Sequence, residues 1–286
     1  MVGAVWSVLE GVWWCSSVFE HDTKQQQKRQ SMKAFALALT TAGTTLATSQ
    51  SACTSTYPLI VPDSSSQSGD CIHTSCNLTT AFDKASKDNT LGSLLCLELA
   101  PGIYAPESPM PNGTDPFFGW TLPMLPALTG LKISPASTTS LEATSDGSVI
   151  LTSNGPKLGY IFTQIGGHVR YDSLIFKDAH TLQADDGSAI NMVNGTLDVV
   201  DCQFLNCVSG EMGGSICIEG IGNSTIRNTR FIGGGGRYGG ALALYSPTTV
   251  EQCTFENIGS QLNGGAIYSG ISLIVKDSTF NGLNSE

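Results

Sequence analysis

A repeat constrains this chain more than any other feature. Phe176, Phe204, Phe231, Phe255 and Phe280 follow one another at intervals of 28, 27, 24 and 25 residues. Three of them are followed by a glycine pair, Gly213-Gly214, Gly239-Gly240 and Gly264-Gly265, with a weaker Gly187-Ser188 after Phe176. Small and apolar residues then alternate, as in "SICI", "ALAL" and "AIYS". Self-similarity at this period marks a solenoid, in which each unit buries its apolar face only by stacking on its neighbours.

The columns of the repeat describe one coil. Five residues before each Phe stand Tyr171, Val199, Ile226, Val250 and Val275. A straight strand would send positions five apart to opposite faces, yet both columns are apolar, so the chain bends between them. Inside that bend, three before the Phe, stand Ser173, Asp201, Asn228, Gln252 and Asp277. Asn and Asp tolerate the left-handed backbone of a corner; Gln252 fits it less well. Two before the Phe, Leu174, Cys202, Thr229, Cys253 and Ser278 form a further column. The alternation after the glycine pair has period two and reads as a strand, and the pair itself suits a sharp turn with close backbone approach. Equivalent strands of successive coils would pair in parallel about 4.8 Å apart. The expected fold is all-β, a parallel β-helix. A leucine-rich solenoid would need a dense Leu pattern that occurs at most once, around Leu128, Leu131 and Ile133, and a propeller needs a longer period.

The first coil is expected at "LLCLELAPGIY", where Leu95, Leu97 and Leu99 share a face. Before it, Leu78, Ala81, Phe82 and Ala85 fall at helical spacing, with Asn77 as a candidate N-cap. Such a helix would cover the open end of the stack and shield its strand edges. Six prolines between residues 104 and 126 mark a long excursion. The last unit begins at "LIVKDSTF" and reaches Glu286 before its glycine pair, so an uncapped C-terminal end is expected, as in a fragment of a longer solenoid. The domain reading is therefore 1–31 as an upstream extension or disordered leader, 32–52 as a signal peptide, 53–94 as linker and capping helix, and 95–286 as the β-helix.

The signal reading rests on Lys33, an apolar stretch from Ala34 to about Leu46, and small residues up to Ala52. That stretch is too short to span a bilayer, so no membrane span is expected after its removal. Residues 2–19 are alternatively a signal-anchor. Of nine cysteines, Cys15 lies in the leader, leaving an even number, as in a secreted chain. The sequons at Asn77, Asn112, Asn194 and Asn223 would be glycan acceptors there. In "CIHTSC", Cys71 and Cys76 with His73 lack a fourth metal ligand, so a disulfide is expected, with Cys96 within reach of either cysteine. Cys207 and Cys217 are a further candidate pair. Cys202 and Cys253 lie two coils apart, beyond disulfide reach, and read as small core residues. No cofactor or metal is expected. A net charge of −10 argues against a nucleic-acid partner.

"FENIGSQLNGGAIYS" resembles the repeat of the chlamydial polymorphic outer-membrane proteins, Phe-x-Asn followed by Gly-Gly-Ala-Ile, over roughly residues 168–286. "FLNCVSGEMGGSI" has Ser for Ala, and "FIGGGGRYGGAL" lacks the Asn. That family places its Asn three after the Phe, whereas Asn206 and Asn257 stand two after. The first coils resemble pectin-lyase-like β-helices. The resemblance implies a right-handed helix, secreted or displayed at the cell surface or outer membrane, serving as a binding or structural module such as an adhesin, with glycans or cell-surface molecules as partners. The alternatives are a polysaccharide lyase or glycoside hydrolase, and a truncated product without function. Catalysis would need paired carboxylates. Asp172, Asp178, Asp185, Asp186 and Asp201, with Arg170 and Lys177 as clamps, are the candidates, of which Asp178, Asp185, Asp186 and Lys177 are the foremost. All of them also suit solvated turns, so catalysis is the less favoured expectation.

Overall fold

The computed structural model describes residues 6–9, 12–15, 55–56, 60–61, 71, 75–88, 94–106, 120–121, 130–136, 148–153, 160–181, 186–220 and 222–285. The expected signal peptide and most of the proline-rich excursion lie outside them. Residues Met1–Ser49 form a unit of their own. Within it, Trp6–Leu9 and Val12–Cys15 pair as an antiparallel hairpin.

The second unit, Gln50–Glu286, is a parallel β-solenoid of about five turns. Three sheets run along it. Sheet 1 passes from Ser55–Thr56 through Leu94–Leu99, Gly130–Pro135, His168–Asp172, Thr196–Val200, Ser224–Arg227 and Thr248–Glu251 to Leu273–Lys276. Sheet 2 passes from Gly102–Tyr104 through Val149–Thr152, Ile175–Lys177, Gln203–Val208, Arg230–Tyr238 and Thr254–Glu256 to Thr279–Asn281. Sheet 3 passes from Trp120–Thr121 through Phe162–Ile165, Ile190–Val193, Ile216–Glu219 and Leu242–Tyr245 to Ile267–Ser269. Ser55–Thr56 pairs with Leu95 and Cys96, so the stack begins earlier than the expected boundary at residue 95. Trp120–Thr121, inside the excursion, pairs with Phe162–Thr163.

The five phenylalanines stand in one file, buried at the first four and partly exposed at Phe280. Consecutive rings stack nearly parallel at centroid distances of 4.6, 4.9, 4.9 and 4.8 Å. Parallel, in-register pairing places each ring over the one below, at the spacing of the strands themselves. Each buried ring contributes on the order of 1.5–3 kcal/mol. The file continues towards the N-terminus as Leu151 and Tyr104, which occupy the same register.

All five residues of the expected bend column have positive φ: Ser173 (56°), Asp201 (55°), Asn228 (48°), Gln252 (54°) and Asp277 (47°). A second left-handed corner follows each Phe by two residues, at Asp178, Asn206, Gly233, Asn257 and Gly282. The column two before the Phe closes the first corner. Thr229 Oγ1 and Ser278 Oγ donate to the carbonyls of Arg227 and Lys276, and the Cys202 and Cys253 thiols point at those of Val200 and Glu251. The same hydroxyl oxygens accept amides from the neighbouring rung, as Cys202 N–H to Thr229 Oγ1 and Cys253 N–H to Ser278 Oγ. From Cys202 onward the column thus serves for bonding as well as for size, whereas Leu174 fills it by apolar packing alone.

The glycine pairs form the third corner. Gly187, Gly213, Gly239 and Gly264 have positive φ. At the second position the reason is proximity: a Cβ on Gly214 would lie 2.0 Å from the Gly240 carbonyl oxygen and 2.6 Å from that of Gly235. Ser188 takes this place one rung earlier and donates to the Gly214 carbonyl.

The expected helix spans Leu78–Asp88, and Thr80 N–H donates to Asn77 Oδ1 at 2.8 Å, which confirms the cap. Leu78, Ala81 and Phe82 are buried, and the Phe82 ring meets Phe162 edge-on at 5.8 Å. Cys71 and Cys76 are disulfide-bonded to each other. Cys96 is disulfide-bonded as well, so it is the partner of neither, contrary to expectation. Its strand position lies on the outward face of sheet 1, opposite the core positions Leu95 and Leu97. Cys207 and Cys217 are not disulfide-bonded to each other: Cys207 belongs to the apolar core, whereas Cys217 shares an outward position in sheet 3 with Asn191 and Tyr268.

Candidate functional site

Chemistry on a solenoid of this kind depends on what the corners and outer faces present. Along the bend between sheets 1 and 2, the left-handed backbone turns polar side chains outward. Asn228 Nδ2 donates to Asp201 Oδ1, and at the second corner Asn206 Nδ2 donates to Asp178 Oδ1 at 3.3 Å. Asp178 also lies 3.8 Å from the Lys177 ammonium, both half-exposed. Arg170 donates to Asp172 at 2.9 Å, and Lys132 approaches the same carboxylate at 3.6 Å. His168 bonds Thr196 Oγ1 at 2.8 Å and meets Asp198 at 3.3 Å. Each of these acids has a neighbouring donor, Asp178 and Asp201 at the corners and Asp172 and Asp198 on the outer face of sheet 1. Asp185 lies outside the described residues.

Asp186 belongs to a different group, on the outer side of sheet 3. Its carboxylate, the Cys217 thiol and the Glu219 carboxylate bring ligand-type atoms within 4.8 Å of one another. Cys217 is fully buried although its strand position faces outward. Tyr245 stands over this group and donates to Met212 Sδ at 3.0 Å. Burial, with Tyr268, Cys217 and Asp186 adding to it, holds the Tyr245 phenol well above its ordinary value, so it remains a donor. Of the foremost catalytic candidates, Asp178 and Lys177 therefore sit at the corner after sheet 2, and Asp186 sits with Glu219, a carboxylate that sequence reasoning did not select. The signal for Glu219 was its place in the alternating strand Ile216–Glu219, where it projects from the face opposite Ile216 and Ile218.

A third feature lies between the second corner and the glycine pairs. A groove of about 440 Å³ is lined by Val208, Ser209, Gly234, Gly235, Gly236, Gly259, Ser260, Gln261 and Asn284. Register explains it. Val208, Gly235, Gly259 and Asn284 occupy one column across four rungs, so two glycines leave the middle of that column without side chains. Thr181, Ser209, Gly236 and Ser260 occupy the next column. The hydroxyls of Thr181, Ser209 and Ser260 are buried and have no hydrogen-bond partner among the described residues. None of these residues was singled out from the sequence, because serine and glycine are too frequent here for the column to stand out.

Comparison with family models, with curated proteins and with solved structures gives no match for this chain.

Proposed function

We propose that this chain is a β-helical binding module, secreted or displayed at a cell surface in the manner of an adhesin, which holds glycans or other cell-surface molecules against its outer faces. The observation that carries the reading is the pair of corner ladders, in which Asn228–Asp201 and Asn206–Asp178 place the same polar chemistry on neighbouring rungs. A ladder of carboxamides and carboxylates on a rigid axis is suited to extended, repetitive ligands, because successive rungs offer related donors and acceptors. A parallel β-solenoid is compatible with this role.

The test removes the ladder and keeps the corner. Glycine accepts positive φ without strain, so Asp201→Gly combined with Asn228→Gly deletes the polar side chains while retaining the bend. Binding to immobilised cell-surface glycans and to whole cells is expected to fall at least tenfold in this variant. Undiminished binding would remove the corner from the account. The signal reading is tested separately: the mature N-terminus of the exported protein, read by mass spectrometry, should fall close to residue 53.

A second reading has its own observation. Asp186 and Glu219 lie close enough to serve as a carboxylate pair for glycosidic cleavage. Product release from a panel of acidic and neutral polysaccharides, abolished by Glu219→Gln, would establish it; absence of turnover on that panel would leave the binding role.

A further inference from the structure

The groove between the second corner and the glycine pairs has a composition that the folded chain does not need for itself. Ser209 and Ser260 are 4% and 5% exposed, and neither hydroxyl has a hydrogen-bond partner among the described residues. A buried hydroxyl left unsatisfied is destabilising, and truncating the side chain to a methyl group removes that cost. Alanine at both positions would serve the fold at least as well. Two such hydroxyls line one groove, two rungs apart, with Gly236 in the register position between them.

The floor of the groove points the same way. Gly259 has ordinary backbone geometry, and a Cβ there would meet only the Asn284 carbonyl oxygen, 4.0 Å away. Space therefore exists for a side chain, and β-branched residues favour strands, yet the position is glycine. Glycine where a side chain would fit leaves the backbone open to close approach from outside. Gln261 and Asn284 also line the groove, and among the described residues no charged one does.

We infer that this groove is a carbohydrate subsite that takes an uncharged, hydroxyl-rich sugar unit of a neutral glycan, with the Ser209 and Ser260 hydroxyls as its buried hydrogen-bonding partners and Gly235 and Gly259 as its floor. The inference rests on the binding-module reading and gives it a second, distinct contact surface. Carboxamides and hydroxyls both donate and accept, which matches sugar hydroxyls. The absence of basic residues from the described lining disfavours uronates and phosphates.

The test is calorimetric titration of the full chain with neutral oligosaccharides (gluco-, manno-, xylo- and chito-series) and, beside them, oligogalacturonates. A neutral series is expected to bind. Ser209→Ala with Ser260→Ala should weaken it at least tenfold while leaving the thermal midpoint unchanged or higher. Gly259→Val should abolish it by filling the floor, and Gln261→Ala, at an exposed position, should weaken it several-fold even if the valine variant does not fold. Neutral-sugar binding that survives Gly259→Val in a folded protein, or that survives Gln261→Ala together with the double serine change, overturns the subsite. So does binding confined to oligogalacturonates, which leaves the module reading standing. No binding to any member of either set, or to cells, overturns both.

Discussion

The two ends of the stack present the same columns under opposite conditions. At the first end, Leu95, Leu97 and Leu99 are fully buried, because Leu78 and Phe82 of the helix and Ile60 of the preceding segment cover that region. Tyr104 anchors the covering segment by donating to the Ile60 carbonyl at 2.8 Å. At the last rung, Val275 and Phe280 keep register with Val250 and Phe255 yet are 42% and 40% exposed. No rung among the described residues lies over them. Burial in a solenoid is thus a property of the neighbour rather than of the column. A side chain in the correct position contributes its full hydrophobic term only when something stands on both sides.

This comparison ranks the expected effects. Phe231→Ala removes a ring stacked on both faces and should cost about 3–5 kcal/mol in denaturant unfolding. Phe280→Ala, stacked on one face, should cost less than half as much. Equal costs would mean that the last ring is covered in solution. The glycines provide the next contrast. A Cβ on Gly240 would lie 2.3 Å from the Gly259 carbonyl oxygen and 2.5 Å from that of Gly265, whereas at Gly265 it would make ordinary contact with Leu283 at 3.8 Å. Gly240→Ala should therefore destabilise by about 1–3 kcal/mol, and Gly265→Ala by no more than about 0.5 kcal/mol.

Alkaline titration probes the interior rungs. Burial pushes the Cys202 and Cys207 thiols up to about 12 from an ordinary value of 9.0. Between these values the unfolded chain loses the proton and the folded chain keeps it, so stability falls as pH rises from about 9 towards 12. Below pH 9 both states are protonated and neither thiol contributes a pH dependence. Unfolding free energies measured across this window should lose part of that slope in Cys202→Ala. Native thiols should also resist alkylation at pH 8. Rapid alkylation of Cys202 without unfolding would show that its rung opens. The smallest effect is expected at the bend, where Gln252→Asn should stabilise by up to about 1 kcal/mol, since Gln252 holds a left-handed backbone that asparagine accepts more readily.

The stack was legible in the sequence because its columns keep one chemical type over several rungs. Phenylalanine recurring at that period, with a polar residue three before it that is Asn or Asp in three of the five units, suits a stacked coil and few folds besides. The register of Leu151 was hidden by its different side chain, although it stands 25 residues before Phe176. Tyr104 was hidden by the long excursion that follows it. The second corner was half legible: Asn206 and Asn257 were visible, but Gly233 and Gly282 fill the same place through conformational freedom rather than through a side chain. The groove was not legible at all. Thr181, Ser209, Gly236 and Ser260 each stand five residues after their Phe, but serine and glycine are so frequent in this chain that the column does not stand out. The proximity of Glu219 to Asp186 depends on pairing between rungs and a fold-back of the chain, which spacing along one strand does not convey.

The most direct test of the stacked architecture is a spin-label distance series along one outward column of sheet 1. Lys132, Arg170, Asp198, Thr225, Thr249 and Ile274 are successive register partners. With one label at Ile274 and the other at Asp198, Arg170 or Lys132, the backbone separations should be about 14, 19 and 24 Å, rising by about 4.8 Å per rung. Distances that rise in such equal steps are the expected result. Distances that fail to increase in that order, or that scatter broadly for all three pairs, would contradict the solenoid.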